Sequence, residues 1–168
     1  MLEAFFDDLS KMALFGEPKE TDLDEIGRRL TQLARSTDWG ALGFRRAVGS
    51  EELVHVLHET RQGPSLYLVS DAAGVRSLPH EHPTWAVIAG LSGNELNVVY
   101  GRADAGTRTV RPLYTRKVGP GDVIALAAGA IHSTHALGAE PTFHLHLYGL
   151  PLGAFPSFAS RCYSEVLP

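Results

Sequence analysis

Cysteine is nearly absent from the chain: Cys162 is the only one in 168 residues. A single thiol excludes an internal disulfide framework and fits a reducing, cytoplasmic setting. Long apolar runs are missing too, so no segment is expected to span a bilayer. No Lys/Arg run stands out, and the formal net charge is −4 with histidine neutral. That balance argues against nucleic acid as a partner. The N-terminus carries Glu3, Asp7 and Asp8 where a secretory signal would carry positive charge. What remains is 44% hydrophobic and 20% charged, ordinary for a globular protein with one core. Against that background histidine is the signal: six of the eight fall between His80 and His146.

The first 47 residues read as helical. Leu2, Phe5, Phe6, Leu9, Met12 and Ala13 follow the helical period over residues 1–15, and Gly16 and Pro18 end the run. Thr21, with Asp24 three residues on, has the pattern of an N-cap. A second stripe follows at Leu23, Ile26, Leu30, Leu33 and Ala34. Residues 38–47 favour a short helix. From residue 48 to 150 the pattern is short β-branched or aromatic runs bounded by Gly or Pro. Among these, 84–89 and 95–100 flank Ser92-Gly-Asn94, which reads as a hairpin turn. The spacing predicts an all-β barrel or jelly roll, with both helices packed outside it and a tail, 151–168, wrapping over it. The chain reads as one domain.

His80 and His82 lie two apart in Leu78-Pro-His-Glu-His-Pro-Thr-Trp85. On a strand both rings face one way, close enough to lean onto one ion. An isolated pair of this kind is equally an exposed polar strand face. His132 closes a second Gly-punctuated segment that starts at Gly121. Further on, Phe143-His-Leu-His-Leu-Tyr148 places His144, His146 and Tyr148 on one strand face and three apolar residues on the other. An inward polar row there supplies donors and a proton relay beside a metal. The alternative for His144 and His146 is a pair of core histidines bonded to backbone.

The spacing of Gly74, His80, His82, Gly93, Gly121, Gly129 and His132 resembles the two signature motifs of the cupin superfamily, a double-stranded β-helix jelly roll. The chain departs from them at Ala86, where many cupins carry a glutamate ligand, at Ala127 for a usual proline, and at Ala136 for a usual asparagine. Without the glutamate, three neutral imidazoles leave the full charge of a divalent ion and adjacent open positions. Such a centre favours an anionic ligand, above all a thiolate. Pro79-His-Glu-His-Pro-Thr-Trp85, Ala130-Ile-His-Ser133 and His146-Leu-Tyr-Gly149 are similar to the bacterial thiol dioxygenases, relatives of cysteine dioxygenase that include the 3-mercaptopropionate dioxygenases.

That resemblance implies a non-haem Fe(II) held by His80, His82 and His132. It also implies a relay of His146 and Tyr148, with His144 where the family has serine. Val87 stands where mammalian-type enzymes carry a cross-linked cysteine. The two positions for a carboxylate-binding arginine fall near Val54 and Ser157, neither of them basic, which leaves Arg161 as the nearest candidate. Trp85 and Ile88 are expected to wall the pocket or the sheet behind it, with Trp85 and His144 joining Arg161 as substrate-binding candidates. The expected activity is oxidation of a small-molecule thiol to its sulfinate with O2. The partners would be that thiol and O2, with neither nucleic acid nor membrane, and the oligomeric state stays open. The competing readings are another metal-dependent cupin reaction and a non-catalytic small-molecule-binding cupin. Cys162 has no base beside it in the sequence and is not a candidate nucleophile.

Overall fold

The computed structural model describes residues 2–12 and 17–166. Its first helix, α1 (Leu2–Lys11), buries Phe5 and Leu9 from the expected stripe. The stretch 13–16, with Ala13 and the Gly16 stop, lies outside the described residues. The second helix, α2 (Glu20–Arg35), buries Leu23, Ile26, Leu30, Leu33 and Ala34, as the 3.6 period requires. Its start differs from the expected Thr21. Lys19 is the N-cap, and its backbone N–H donates to Asp22 Oδ2 at 2.9 Å. Glu20 and Asp22 then lie in the first turn, where the exposed amides favour acids. A 3-10 turn (Trp39–Leu42) follows, anchored by Trp39 Nε1–H donating to the Ala34 carbonyl at 3.0 Å.

Among the described residues ten strands follow: β1 (Glu52–His58), β2 (Ser65–Asp71), β3 (His80–Glu81), β4 (Ala86–Ser92), β5 (Asn94–Arg102), β6 (Thr109–Val118), β7 (Val123–Leu126), β8 (Ile131–Leu137), β9 (Phe143–Tyr148) and β10 (Ser164–Glu165). They form two five-stranded sheets, ordered β1-β2-β9-β4-β7 and β10-β6-β5-β8-β3. Strand alternation sorts side chains into two main cores, beside a smaller cluster of Tyr100, Val110, Ile131 and Tyr163. Leu66, Leu68, Val87, Ala89, Phe143, Leu145 and Leu147 face out and pack with α1 and α2. Tyr67, Val69, Ala86, Ile88, Val99, Val118, Ile124, Leu126 and Tyr148 face into the barrel. The helices therefore cover one sheet from outside, as the stripes require. α2 packs at Gly27 against Val123 and Val87 of the sheet, where an added Cβ would make ordinary contact at 3.5 Å.

The expected hairpin at Ser92-Gly-Asn94 is corrected. β4 pairs with β7 and β9, whereas β5 pairs with β6 and β8, so the chain changes sheets at this corner. Gly93 takes φ 72° against Thr142, a conformation and a closeness that favour glycine. A tight turn between two apolar runs looks the same in sequence whether the strands pair or part.

The tail also acquires structure. Residues 152–154 form a 3-10 turn, α3 spans Phe158–Arg161, and β10 runs parallel to β6. The Tyr163 amide donates to the Pro79 carbonyl at 2.8 Å, and Cys162 bridges His80 through backbone. The tail thus borders β3 on the side away from β8.

Candidate metal centre

β3 is short because Pro79 and Pro83 bracket it, and proline has no amide hydrogen for the ladder. Its two residues pair with β8 so that His80 lies directly opposite His132. His82 lies past the strand end, where its carbonyl accepts from the Gly129 amide at 2.9 Å. That turn requires Gly129, whose φ is 74°. The three rings converge with centroids 5.0 Å (His80–His82), 4.7 Å (His80–His132) and 5.0 Å (His82–His132) apart. One nitrogen of each lies within 4.8 Å of the others.

Hydrogen bonds fix which nitrogens are free. His80 Nδ1 lies 2.8 Å from the Leu78 carbonyl, which can only accept, so Nδ1 carries the proton and Nε2 the lone pair. Asn97 Nδ2 donates to Glu95 Oε1 at 2.8 Å. That turns Asn97 Oδ1 toward His132, where it accepts from Nδ1–H at 3.0 Å. His132 Nε2 is left buried with no partner. His80 Nε2 and His82 Nε2 are 3.1 Å apart. Two ligands at right angles on an ion, with bonds of about 2.1 Å, stand about 3.0 Å apart.

Burial lowers the basicity of every imidazole here. His80 is pushed down to about 4, chiefly by desolvation, and His82 and His132 fall well below the usual range. Neutral rings with exposed lone pairs are the form that binds a metal. An orphaned buried lone pair, a matched tautomer and a fitting separation all suit a cation held by His80, His82 and His132. Imidazole suits Fe, Zn, Cu and Ni alike, so this donor set does not choose among them.

His146 and Tyr148 come to the same cavity from β9. His146 Nδ1 lies 3.0 Å from the Tyr148 hydroxyl, and its Nε2 has no partner. The Tyr148 ring stands edge-on to His82, with centroids 5.0 Å apart. Burial holds the Tyr148 phenol far above its normal value, so it stays protonated, and pushes His146 down to about 3. Both line a cavity of about 430 Å³ together with the three histidines, Phe155, Phe158 and Arg161.

Three of the expected residues lie off the cavity. Trp85 shares the parity of Val87 and lies in the outer core against the helices, not on the cavity. The Gly149 backbone presses on its indole, with the Gly149 amide donating to the Trp85 carbonyl at 3.1 Å. His144 faces inward but sits off the cavity, its Nε2–H donating to the Val118 carbonyl at 3.1 Å. Ile88 belongs to the inner core and does not line the cavity either. Arg161 does reach it. Its Nη1 donates to the Glu81 carbonyl at 2.6 Å, and its guanidinium lies 5.3 Å from the Phe155 ring centroid.

Several site residues escape the sequence reading: Asn97, Glu95, Asp71, Phe155 and Phe158. The first two carried a signal. Glu95 and Asn97 are the buried positions of a strand whose other face is half-exposed, so polar residues occupy the apolar phase of β5.

No protein-family model matches the chain, and no curated protein matches it. Solved structures do. Oxalate oxidase in complex with the substrate analogue glycolate matches at TM-score 0.51 and 21% identity, over 64% of this chain and 55% of that one. A cupin superfamily protein from Desulfitobacterium hafniense DCB-2 matches at 0.51 and 17%, over 68% and 90%. The cupin domain of Schizosaccharomyces pombe Cnp3 matches at 0.51 and 12%, over 66% and 72%. The chain has the cupin fold. It spans just over half the length of the oxalate oxidase. The fold brings three histidines to the barrel interior. Ala86, noted above as standing where many cupins carry a glutamate ligand, is fully buried between Leu126 and Tyr148. Among the described helices, none is long and apolar enough to cross a membrane.

Proposed function

We propose that this cupin is a non-haem Fe(II)-dependent dioxygenase that oxidises a small-molecule thiol to its sulfinate. The observation that carries the reading is the donor set: three neutral imidazoles converge and, among the described residues, no carboxylate oxygen joins their cluster. Iron held there would supply a site where an anionic sulfur and O2 come together. In the overall reaction a thiol and O2 give the sulfinic acid. Both oxygen atoms join sulfur, which gives up four electrons, while O2 accepts them.

The chain's own residues then have definite tasks. His80 and His132 present Nε2 lone pairs because Leu78 and Asn97 hold their Nδ1 protons. Tyr148, kept neutral by burial, shares a hydrogen bond with His146 Nδ1 in which either group can donate, so the pair can pass a proton and His146 Nε2 serves as donor or acceptor according to the tautomer. That Nε2 is buried without a partner and faces the cavity, where it can orient a bound group. Phe155 and Phe158 cover the histidines from the tail and limit water, with the Phe158 ring 5.1 Å from His80.

The test is metal analysis followed by O2 uptake. Purified protein is reconstituted with Fe(II) anaerobically and given a panel of small thiols. Stoichiometric O2 consumption with sulfinate product is expected. Full iron occupancy with no O2 consumed by any thiol would overturn the reading.

A further inference from the structure

The cavity that holds the three histidines has a second, acidic end. Asp71 at the close of β2, Glu95 at the start of β5 and Glu52 at the start of β1 all line it. Asp71 is 4% exposed and Glu95 0%. Asn97 donates to Glu95 Oε1, and Asp71 and Glu95 lie within hydrogen-bond reach of each other, but neither Glu95 Oε2 nor Asp71 Oδ1 meets a donor from any other described residue. No Lys or Arg forms an ion pair with any of the three among the described residues. Two carboxylates driven into a barrel this way need a proton or a cation between them. Such an arrangement persists at a cost to stability, which is the mark of a group kept for a ligand.

We propose that Asp71 and Glu95 form the subsite for an ammonium group, so that the molecule processed at the histidines is a small primary amine. The proposal rests on the oxygenase reading for what happens at the other end of that molecule, and on the acids alone for recognition. An –NH3+ has three donors, enough to bond Asp71 Oδ1 and Glu95 Oε2 and still meet Glu52 or water. A metal ion is a poorer occupant: among the described residues only the three histidines bring enough ligand atoms within 4.8 Å of one another. The two ends belong to one cavity: Glu95 is one two-residue step, about 6.8 Å, along the same face of β5 from Asn97, which holds His132.

The positive groups of the cavity do not compete. Arg161 lies beside the histidines, and its Nε and Nη1 donate to the carbonyls of Pro156 and Glu81. Arg76 lines the cavity without pairing to any of the acids. Burial raises both Asp71 and Glu95 well above the usual carboxylate range, so binding is best examined at pH 8, on the alkaline side, where the pair has lost more of its protons and an alkylamine is still protonated.

Two measurements test the assignment. Calorimetric titration of the whole protein at pH 8 compares butylamine, butan-1-ol and butyrate. Butylamine should bind at least roughly tenfold more tightly than the other two, and Glu95→Gln and Asp71→Asn should each remove that preference. Equal binding of butylamine and butan-1-ol by the unaltered protein overturns the proposal, whatever the variants do. The second measurement is O2 uptake by Fe(II)-loaded protein with 3-aminopropane-1-thiol, propane-1-thiol and 3-mercaptopropionate. Preference for the aminothiol, mainly in KM, supports the subsite, and equal use of all three overturns it while leaving the oxygenase intact. Selective butylamine binding with no O2 uptake from any thiol keeps the subsite and rejects the oxygenase.

Discussion

His132 donates its Nδ1 proton to Asn97 Oδ1 across 3.0 Å, and this one bond decides which nitrogen of the ring is left for a ligand. Asn97 is itself turned by Glu95, so the tautomer of a candidate metal ligand is set two side chains away.

Replacing Asn97 by leucine should therefore weaken metal binding about 10- to 100-fold, as loss of an outer partner of a ligating histidine commonly does. Chelator competition with Fe(II) or Zn(II) measures it. Asn97→Asp, which still accepts from His132, should lose less. If both variants bind metal as the unaltered protein does, the bond has no role in holding the centre.

Tyr148→Phe removes the hydroxyl that meets His146 and leaves the ring in place. Under the oxygenase reading kcat should fall by roughly 10²–10⁴ with iron content unchanged. Steady-state O2 uptake alongside metal analysis separates loss of chemistry from loss of metal. A variant of full activity would remove Tyr148 from the proposed machinery.

The buried acids make stability depend on pH in a definite direction. Asp71 and Glu95 are raised to about 7 in the native state, mainly by desolvation, against about 4 when unfolded. Between those values the native chain holds protons that the unfolded chain has released. Stability is therefore greatest below about pH 4 for this pair, falls as pH rises toward 7, and levels off above. Glu95→Gln should melt at a higher temperature than the unaltered protein at pH 8, by a margin on the order of 2 kcal/mol that shrinks toward pH 5. Thermal melts across this range check it, and a margin independent of pH would contradict it.

Gly90 is a point where the barrel has no room. Its carbonyl accepts from the Gly121 amide at 3.3 Å, its amide donates to the Asp122 carbonyl at 3.1 Å, and a Cβ would collide with the Gly119 carbonyl. Backbone cannot swing aside as a side chain can, so Gly90→Ala should cost about 2–3 kcal/mol or more. Urea unfolding gives the value.

The two helical stripes and the parity of Phe143–Tyr148 are local periodicities, and the sequence alone determined them. Turning a residue by 100° or 180° leaves it one side to hide, whatever the fold, so Leu30 and Leu145 are fully buried as the pattern demands. The pair His80 and His82 was legible for the same reason, and its spacing with the glycines pointed to the jelly roll. Tertiary structure decided what periodicity cannot carry. It parted β4 from β5 at Gly93, because a turn does not state which strand comes alongside. It set Trp85 among the helices and laid Phe155 and Phe158 over the cavity from a tail with no period. It also brought Glu95 and Asp71 together from strands 24 residues apart in sequence. Long-range pairing chooses among many registers of similar local merit, and only the burial of the whole barrel separates them.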